Sequence, residues 1–169
     1  LYMAIENSLA AVICIEDPLR EEATEVIRAL HEAGLNKIVM MTGDSERTAR
    51  AIAARVGVDE YYSEVLPEDK AGFIEKEKAA GRKVIMIGDG INDSPALSAA
   101  DVGIAISDGA EIAREIADIT VGADDLYQVV MLRQLSELLM KRIRRNYRFI
   151  VGFNSALIAL GVTGVLMPT

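Results

Sequence analysis

The side chains with the clearest potential for chemistry lie in the loop Gly88-Asp89-Gly90-Ile91-Asn92-Asp93. The loop follows an apolar run, residues 84–87, that has the length and composition of a buried strand. Its glycines permit a tight turn that can aim both carboxylates into one space. Carboxylate and amide oxygens are the ligands that Mg2+ prefers in proteins. We therefore predict a Mg2+ site formed by Asp89 and Asp93 with support from Asn92. The alternative is a loop with two solvated aspartates.

A second loop of this kind is Thr42-Gly43-Asp44, which lies between a predicted strand at 37–41 and a predicted helix at 45–56. Asp44 or Ser45 can cap that helix. The Thr42 hydroxyl would then stand at the carboxyl end of a strand beside a helix N-terminus, a setting that favours phosphate. In isolation the three residues could equally form a simple turn. We expect this loop and the Gly88 loop to open on the same edge of one sheet.

Lys70 is the third candidate, because it lies in the first turn of a helix predicted over residues 69–80. A cation at that position opposes the helix dipole unless an anion faces it. We therefore predict that Lys70 holds a phosphoryl or carboxylate group. The alternative is a solvated surface lysine.

Strands alternate with helices before residue 125, which predicts a parallel sheet covered on both faces, a doubly wound α/β domain. Further strands are predicted at 1–5 and 9–15, joined by a hairpin or a bend, and at 61–63, 102–106 and 119–121. Further helices are predicted from Pro18, capped by Asp17, to Ala33; from Ser94 and Pro95 onward; at 109–117; and from 125 through 145. Loops at the carboxyl edge of such a sheet converge. They would bring together Asp17, Thr42, Lys70, Asp89 and Asp93.

Charge is unevenly spread along the 169 residues, whose formal net charge is −8. From residue 133 onward there are six Lys/Arg and one acid, whereas the preceding part is strongly acidic. This pattern argues against nucleic acid as a partner. Residues 149–167 carry no charge and follow the cations directly, which predicts a transmembrane helix with the cytoplasm at its start. The alternative is a buried C-terminal helix of a soluble protein.

These features divide the chain into three predicted parts: an α/β domain at 1–124, a basic connecting helix at 125–148 and a transmembrane helix at 149–167. The single cysteine, Cys14, lies in an apolar run and is expected to be buried packing. The chain begins without Met, which suggests a segment of a longer protein.

The string Gly88 to Leu97 closely resembles the hinge motif of P-type cation-transporting ATPases. The order Thr42-Gly43-Asp44, then Pro67-Glu68-Asp69-Lys70, then this string, a basic stretch and an apolar helix resembles the second half of their phosphorylation domain. The heavy-metal, type IB, branch is the most similar. The resemblance covers nearly the whole chain and implies a haloacid-dehalogenase-like fold.

The resemblance also implies roles for the candidate residues. Thr42 would hydrogen-bond the phosphoryl oxygens, with Gly43 and Asp44 in the same catalytic loop. Lys70 would neutralise developing negative charge, and Asp89 would bind Mg2+ directly. Asn92 and Asp93 would support the metal and the phosphorylated site. Asp17 matches the segment that re-enters the phosphorylation domain, and Asn154 a polar membrane position that could face the transported ion.

By the same resemblance the full-length protein would use Mg2+ and ATP and move a metal cation across the cell membrane, with residues 1–148 cytoplasmic. Its nucleotide-binding and actuator domains are not in this sequence, and neither is the Asp-Lys-Thr-Gly-Thr motif that carries the family's nucleophile. We therefore predict that this chain alone does not turn over ATP. Two alternatives remain: a soluble haloacid-dehalogenase-type phosphatase, and a non-catalytic Mg2+-binding regulatory module.

Overall fold

The computed structural model describes residues 2–5, 8–12, 19–89, 92–106, 115–122 and 125–163. Seven strands and five helices are defined within these ranges. In chain order they are β1 (Tyr2–Ile5), β2 (Ser8–Val12), α1 (Ala23–Glu32), β3 (Val39–Met41), α2 (Glu46–Val56), β4 (Glu60–Tyr62), α3 (Pro67–Ala79), β5 (Ile85–Gly88), α4 (Ser94–Ala99), β6 (Val102–Ile106), β7 (Ile119–Val121) and α5 (Tyr127–Val162). The predicted alternation of strands and helices is confirmed.

The strands after β2 pair in parallel, as the apolar runs predict. β3 pairs with β4, and β5, β6 and β7 form a three-stranded sheet in that order. β1 and β2 form an antiparallel hairpin, the first of the two arrangements expected there. Among the described residues the parallel strands thus form two separate sheets, and β3 and β5 do not pair. Helix α3 follows β4 and packs on α4, which follows β5, and so connects the two sheets.

The main core lies between the three-stranded sheet and two helices. Val26 and Leu30 of α1 pack with Ile104 of β6, Val121 of β7 and Val129 at the start of α5. The apolar face predicted for the first helix is therefore the buried face. This packing fixes the sheet edge from which the Gly88 loop emerges.

The starts of α1 and α3 differ from the predictions. α1 begins at Ala23 and not near Pro18, because residues 20–23 form a turn closed by the Ala23 N–H on the Arg20 carbonyl. α3 begins at Pro67, two residues early, because proline is favoured at the first helical position. Asp17 and most of the helix predicted at 109–117 lie outside the described residues.

α5 is one continuous helix that runs through the boundary predicted at residue 148. Within the described residues, no helix is both long and apolar enough to cross a membrane, so the transmembrane helix expected at 149–167 is not shown. The uncharged part of α5 that is described, 149–162, spans 14 residues, which is about 21 Å of helix. A hydrocarbon core is about 30 Å thick. Residues 164–167 of the expected span lie outside the described residues.

Candidate active site

Lys70 and Asp93 form an ion pair between α3 and the N-cap of α4. The Lys70 Nζ lies 2.6 Å from the Asp93 Oδ1, and both side chains are largely buried, at 15% and 12% exposure. The predicted anion opposite Lys70 is thus a carboxylate of the same chain. An ammonium has three N–H donors, so two remain for other acceptors. The pair therefore places a buried positive charge beside the start of α3.

Gly88 is required for this geometry, because the Asp93 side chain lies against its Cα. A Cβ added at Gly88 would lie 2.5 Å from the Asp93 Oδ2 and 2.8 Å from the Asp93 Cβ. Asp93 is the N-cap residue of α4, yet its side chain makes no capping hydrogen bond because the carboxylate is directed at Lys70. Ser94, expected at the start of this helix, is its first residue.

The Thr42-Gly43-Asp44 loop folds on itself at the end of β3. The Thr42 hydroxyl donates to the Asp44 Oδ2 at 2.9 Å and accepts from the Asp44 N–H at 3.1 Å. Ser45 is the N-cap of α2, but no side chain caps the helix. The Thr42 hydroxyl is therefore held toward Asp44 and would have to turn to meet a phosphoryl oxygen.

The segment from Ser63 to Leu66 connects this loop to Lys70. The Val65 N–H donates to the Thr42 carbonyl at 3.0 Å, and the Glu64 N–H donates to the Asp44 carbonyl at 2.9 Å. Leu66, the next residue, is the N-cap of α3. Glu64 has a φ of 54°, in the left-handed region that non-glycine residues rarely adopt. The same short segment thus positions the Thr42 loop and the helix that carries Lys70.

Sequence reasoning missed a cluster beside this segment, formed by Glu46, Arg50, Tyr61 and Ser63. The Glu46 Oε1 accepts from the Arg50 Nη2 at 2.7 Å and from the Tyr61 hydroxyl at 2.9 Å. Its Oε2 accepts from the Ser63 hydroxyl at 2.7 Å, and the Arg50 Nε donates to the Tyr61 hydroxyl at 3.2 Å. These hydrogen bonds, that from Ser63 above all, hold the pKa of Glu46 below its ordinary value. We name this group the Glu46 cluster.

For the other predicted site residues within the described ranges, the structure gives a position and an exposure. Asp89 directly follows β5 and is exposed, and Asn92 is exposed just before α4. Asp17 lies outside the described residues. Asn154 lies on the exposed part of α5, and no hydrogen bond or ion pair joins it to the site within the described ranges. The structure therefore brings together Lys70 with Asp93, and Thr42 with Asp44.

The oxygen donors of the Gly88 loop fit a magnesium ion of the kind that phosphate-handling enzymes use. No group of three or more His, Cys, Asp or Glu residues that could hold a metal by itself occurs in the part of the chain that the structure describes. Mg2+ commonly takes one or two carboxylates and completes its coordination with water and substrate phosphate. Asp89, exposed at the end of β5, suits that arrangement. Asp93 suits it less, because one of its oxygens is bound to Lys70.

Residues 2–101 match the haloacid dehalogenase-like hydrolase family. The chain belongs to this family. A second comparison finds similarity along almost the whole chain. It is 47% identical over 168 residues to copper-transporting ATPase 2 of Rhizobium meliloti (strain 1021), and 40% identical to the copper-exporting P-type ATPase of Staphylococcus aureus (strain JH9). Both alignments cover 99% of the chain and about a fifth of the relative's length, 20% and 21%.

Solved structures give the same result for the fold. A zinc-transporting PIB-type ATPase in its E2.Pi state superposes with a TM-score of 0.84 at 33% identity, covering 95% of this chain and 26% of that one. The catalytic CPx-ATPase domain CopB-B superposes with a TM-score of 0.65 at 37% identity, covering 76% and 51%. The haloacid-dehalogenase-like α/β fold and the resemblance to heavy-metal P-type ATPases are confirmed.

Proposed function

We propose that the chain is part of an ATP-driven heavy-metal cation pump that works through an aspartyl-phosphate intermediate. It would supply the half of the site that binds Mg2+ and stabilises the phosphoryl group. The observation that carries this proposal is the buried Lys70–Asp93 ion pair, which fixes the Lys70 ammonium at the end of the Gly88 loop. Phosphoryl transfer depends mainly on positioning and on stabilising the charge of the transition state.

The contacts of Lys70 and Thr42 support a part for each of them in this site. Lys70 has N–H donors beyond the one directed at Asp93, so it can bind phosphoryl oxygens while Asp93 holds it in place. The Thr42 hydroxyl can exchange Asp44 for a phosphoryl oxygen by rotating about one bond. Asp89 and Asn92 would hold Mg2+, which, when bound, would draw charge from the phosphate oxygens. Asp17 would contribute to the same site.

The remaining parts of the active site, and the other domains of the pump, would come from the full-length protein. The nucleophilic aspartate, the nucleotide-binding domain and the actuator domain would complete the site. The side chains of Ile85 and Ile87 on β5 are 43% and 37% exposed, although they belong to a strand of the parallel sheet. Parallel strands are ordinarily covered on both faces. We propose that part of the full-length protein covers this strand and carries the nucleophile.

We place the full-length protein in the cell membrane, with residues 1–148 on the cytoplasmic side and residues 149–167 at the membrane. Large apolar side chains near the end of α5 support this, since Phe149 is 71% exposed and Ile158 is 68% exposed. Cations such as Arg145 and Arg148 precede them, as at a cytoplasmic membrane boundary. A soluble phosphatase is less well supported, because similarity to the copper-transporting ATPases continues far beyond residue 101.

The proposal is tested by measuring metal-stimulated ATP hydrolysis and acid-stable phosphoenzyme in the full-length protein. Lys70→Ala and Asp89→Asn should each lower turnover at least about a hundredfold, since each removes charge stabilisation in the transition state. Lys83→Ala is the matched control, because Lys83 is 88% exposed and pairs only with Asp101 among the described residues. The 169-residue chain alone should form no phosphoenzyme from ATP. Full activity in Lys70→Ala would refute the assignment.

The transported ion is tested separately, because the matched region lies largely in the phosphorylation domain. The relatives are named for copper, whereas the superposed full-length structure is of a zinc transporter. Comparing Cu+ with Zn2+ as activators of the full-length protein decides between them. Asn154→Ala should weaken the metal response if Asn154 contacts the ion, and an unchanged response would remove it from the transport site.

A further inference from the structure

The Glu46 cluster lies between the start of α2 and the end of β4. Glu46 is the first residue of α2, which follows the Thr42 loop, and Ser63 directly follows β4. The single carboxylate of Glu46 accepts hydrogen bonds from Arg50, Tyr61 and Ser63, at 2.7, 2.9 and 2.7 Å. It therefore joins the first turn of α2 to the end of β4 through side chains alone.

Ser63 stands immediately before the strained residue of the connecting segment. Glu64, with φ of 54°, donates its N–H to the Asp44 carbonyl, and the neighbouring Val65 donates to the Thr42 carbonyl. A non-glycine residue in this conformation is energetically unfavourable, so surrounding contacts must hold it there. The hydrogen bond from Ser63 to Glu46 is one such contact. Loss of that bond would let the segment relax away from the Thr42 loop.

Relaxation of this segment would also move Lys70. Leu66 ends the segment and is the N-cap of α3, and its carbonyl accepts the Lys70 N–H at 3.4 Å. Tyr62 adds a second link, because its ring packs on Phe73 of α3 with the centroids 5.1 Å apart. A shift at Ser63 is thus transmitted to both phosphoryl-binding groups, the Thr42 hydroxyl and the Lys70 ammonium.

We infer that Glu46 is a positioning residue of the phosphoryl site, which aligns the Thr42 loop with Lys70 by holding Ser63 and Tyr61. Glu46 itself makes no hydrogen bond or ion pair with Thr42 or Lys70 among the described residues, so it acts through the segment and not on the substrate. The inference rests on the function proposed above and adds to it a residue that the motifs do not contain.

The test uses the full-length protein and orthovanadate, which imitates the transferring phosphoryl group and so reports the alignment of its binding groups. Glu46→Ala should raise the vanadate concentration for half-inhibition about tenfold and lower turnover by a similar factor, as small misplacements of reacting groups do. The KM for ATP should stay unchanged, because nucleotide affinity would be set elsewhere in the protein. Glu46→Gln keeps an oxygen acceptor and should recover part of the loss.

Two further variants keep the inference falsifiable. Glu75→Ala is the matched control, since Glu75 is an exposed carboxylate of α3 with no hydrogen bond or ion pair among the described residues. Ser63→Ala removes one hydroxyl and should also raise the vanadate concentration for half-inhibition. This variant tests the inference even if Glu46→Ala does not fold. Wild-type vanadate sensitivity in Ser63→Ala, or an equal change in Glu75→Ala, overturns the inference.

The outcome also separates this inference from the proposed function. A wild-type protein with no metal-stimulated hydrolysis would refute both. An active wild-type protein whose vanadate sensitivity is unaffected by Glu46→Ala would refute only the positioning role of Glu46.

Discussion

The Gly88 loop and the Thr42 loop both follow parallel strands, but they are held in place differently. The two ends of the Gly88 loop are fixed by close packing: Asp93 lies against the Cα of Gly88, and Ala96 and Leu97 just beyond it are fully buried. The Thr42 loop is fixed by hydrogen bonds among largely exposed side chains and by a strained residue, Glu64. Close-packed regions resist displacement, whereas exposed hydrogen-bonded regions open at lower free energy.

This difference suits the two proposed tasks. A metal site needs ligands that are held firmly, and the packed contact between Gly88 and Asp93 lies next in sequence to Asp89 and Asn92, the proposed ligands. The Thr42 hydroxyl must instead turn from Asp44 to a phosphoryl oxygen and back, which needs a loop with some freedom. We therefore expect substitutions around the Gly88 loop to reduce stability, and substitutions around the Thr42 loop to change alignment with less loss of stability.

The largest effect is expected from Lys70→Ala, because it leaves the Asp93 carboxylate buried without its partner. The free energy of unfolding of the 169-residue chain, measured by urea denaturation, should fall by about 3 kcal/mol. Lys83→Ala, which removes a largely exposed cation, should cost much less. Replacing both partners, as Lys70→Met with Asp93→Leu, should recover most of the stability. If Lys70→Ala were no worse than Lys83→Ala, the ion pair would not be what fixes this loop.

The sequence predicted much of the region around the Gly88 loop and less of the region around the Thr42 loop. β6 and β7 lie at the predicted residues, because Asp101 and Ser107 flank the apolar run of the first, and Asp118 and Gly122 flank the β-branched Ile-Thr-Val run of the second. The local misfit of Lys70 with the helix dipole correctly indicated a facing anion. Its partner, Asp93, was instead expected to support the metal, and only the folded chain shows that the two side chains meet.

The Thr42 side depends on contacts that local patterns do not encode. The Glu46–Arg50 pair has helical i,i+4 spacing and could have been found from the sequence. Tyr61 and Ser63 lie 15 and 17 residues from Glu46, so their contacts depend on how β4 meets α2. The left-handed conformation of Glu64 gave no signal either, because glycine is the usual residue there.

A smaller loss of stability is expected from Gly88→Ala, which tests the packing around Asp93 directly. The added methyl group would lie 2.5 Å from the Asp93 Oδ2, so the carboxylate or the strand must shift. Overpacking of this kind costs about 1–3 kcal/mol of unfolding free energy. Gly72→Ala in α3 is the control, because its methyl group would meet nothing within 4 Å. That substitution should instead stabilise the chain by up to about 1 kcal/mol, since alanine favours helices. Equal effects of the two changes would contradict close packing at Gly88.

The smallest effect is expected on thermal stability at acidic pH, and it tests the contribution of the Glu46 cluster apart from that of the other carboxylates. The pKa of Glu46 is lowered in the folded chain, chiefly by the hydrogen bond from Ser63 and then by those from Arg50 and Tyr61. A carboxyl group with a lowered folded pKa contributes stability above its ordinary pKa of 4.5, and that stability is lost as the pH falls through the folded pKa. The Tm difference between wild type and Glu46→Gln should therefore be constant near neutral pH and shrink below pH 4.5.

Glu60 and Asp101 also have lowered pKa values, but they titrate in both proteins and cancel in the difference. A Tm difference that does not change with pH would mean that the charge of Glu46 contributes nothing to holding Ser63 and Arg50. The position of the Thr42 loop would then not depend on the charge of Glu46, and the proposed difference from the Gly88 loop would be smaller.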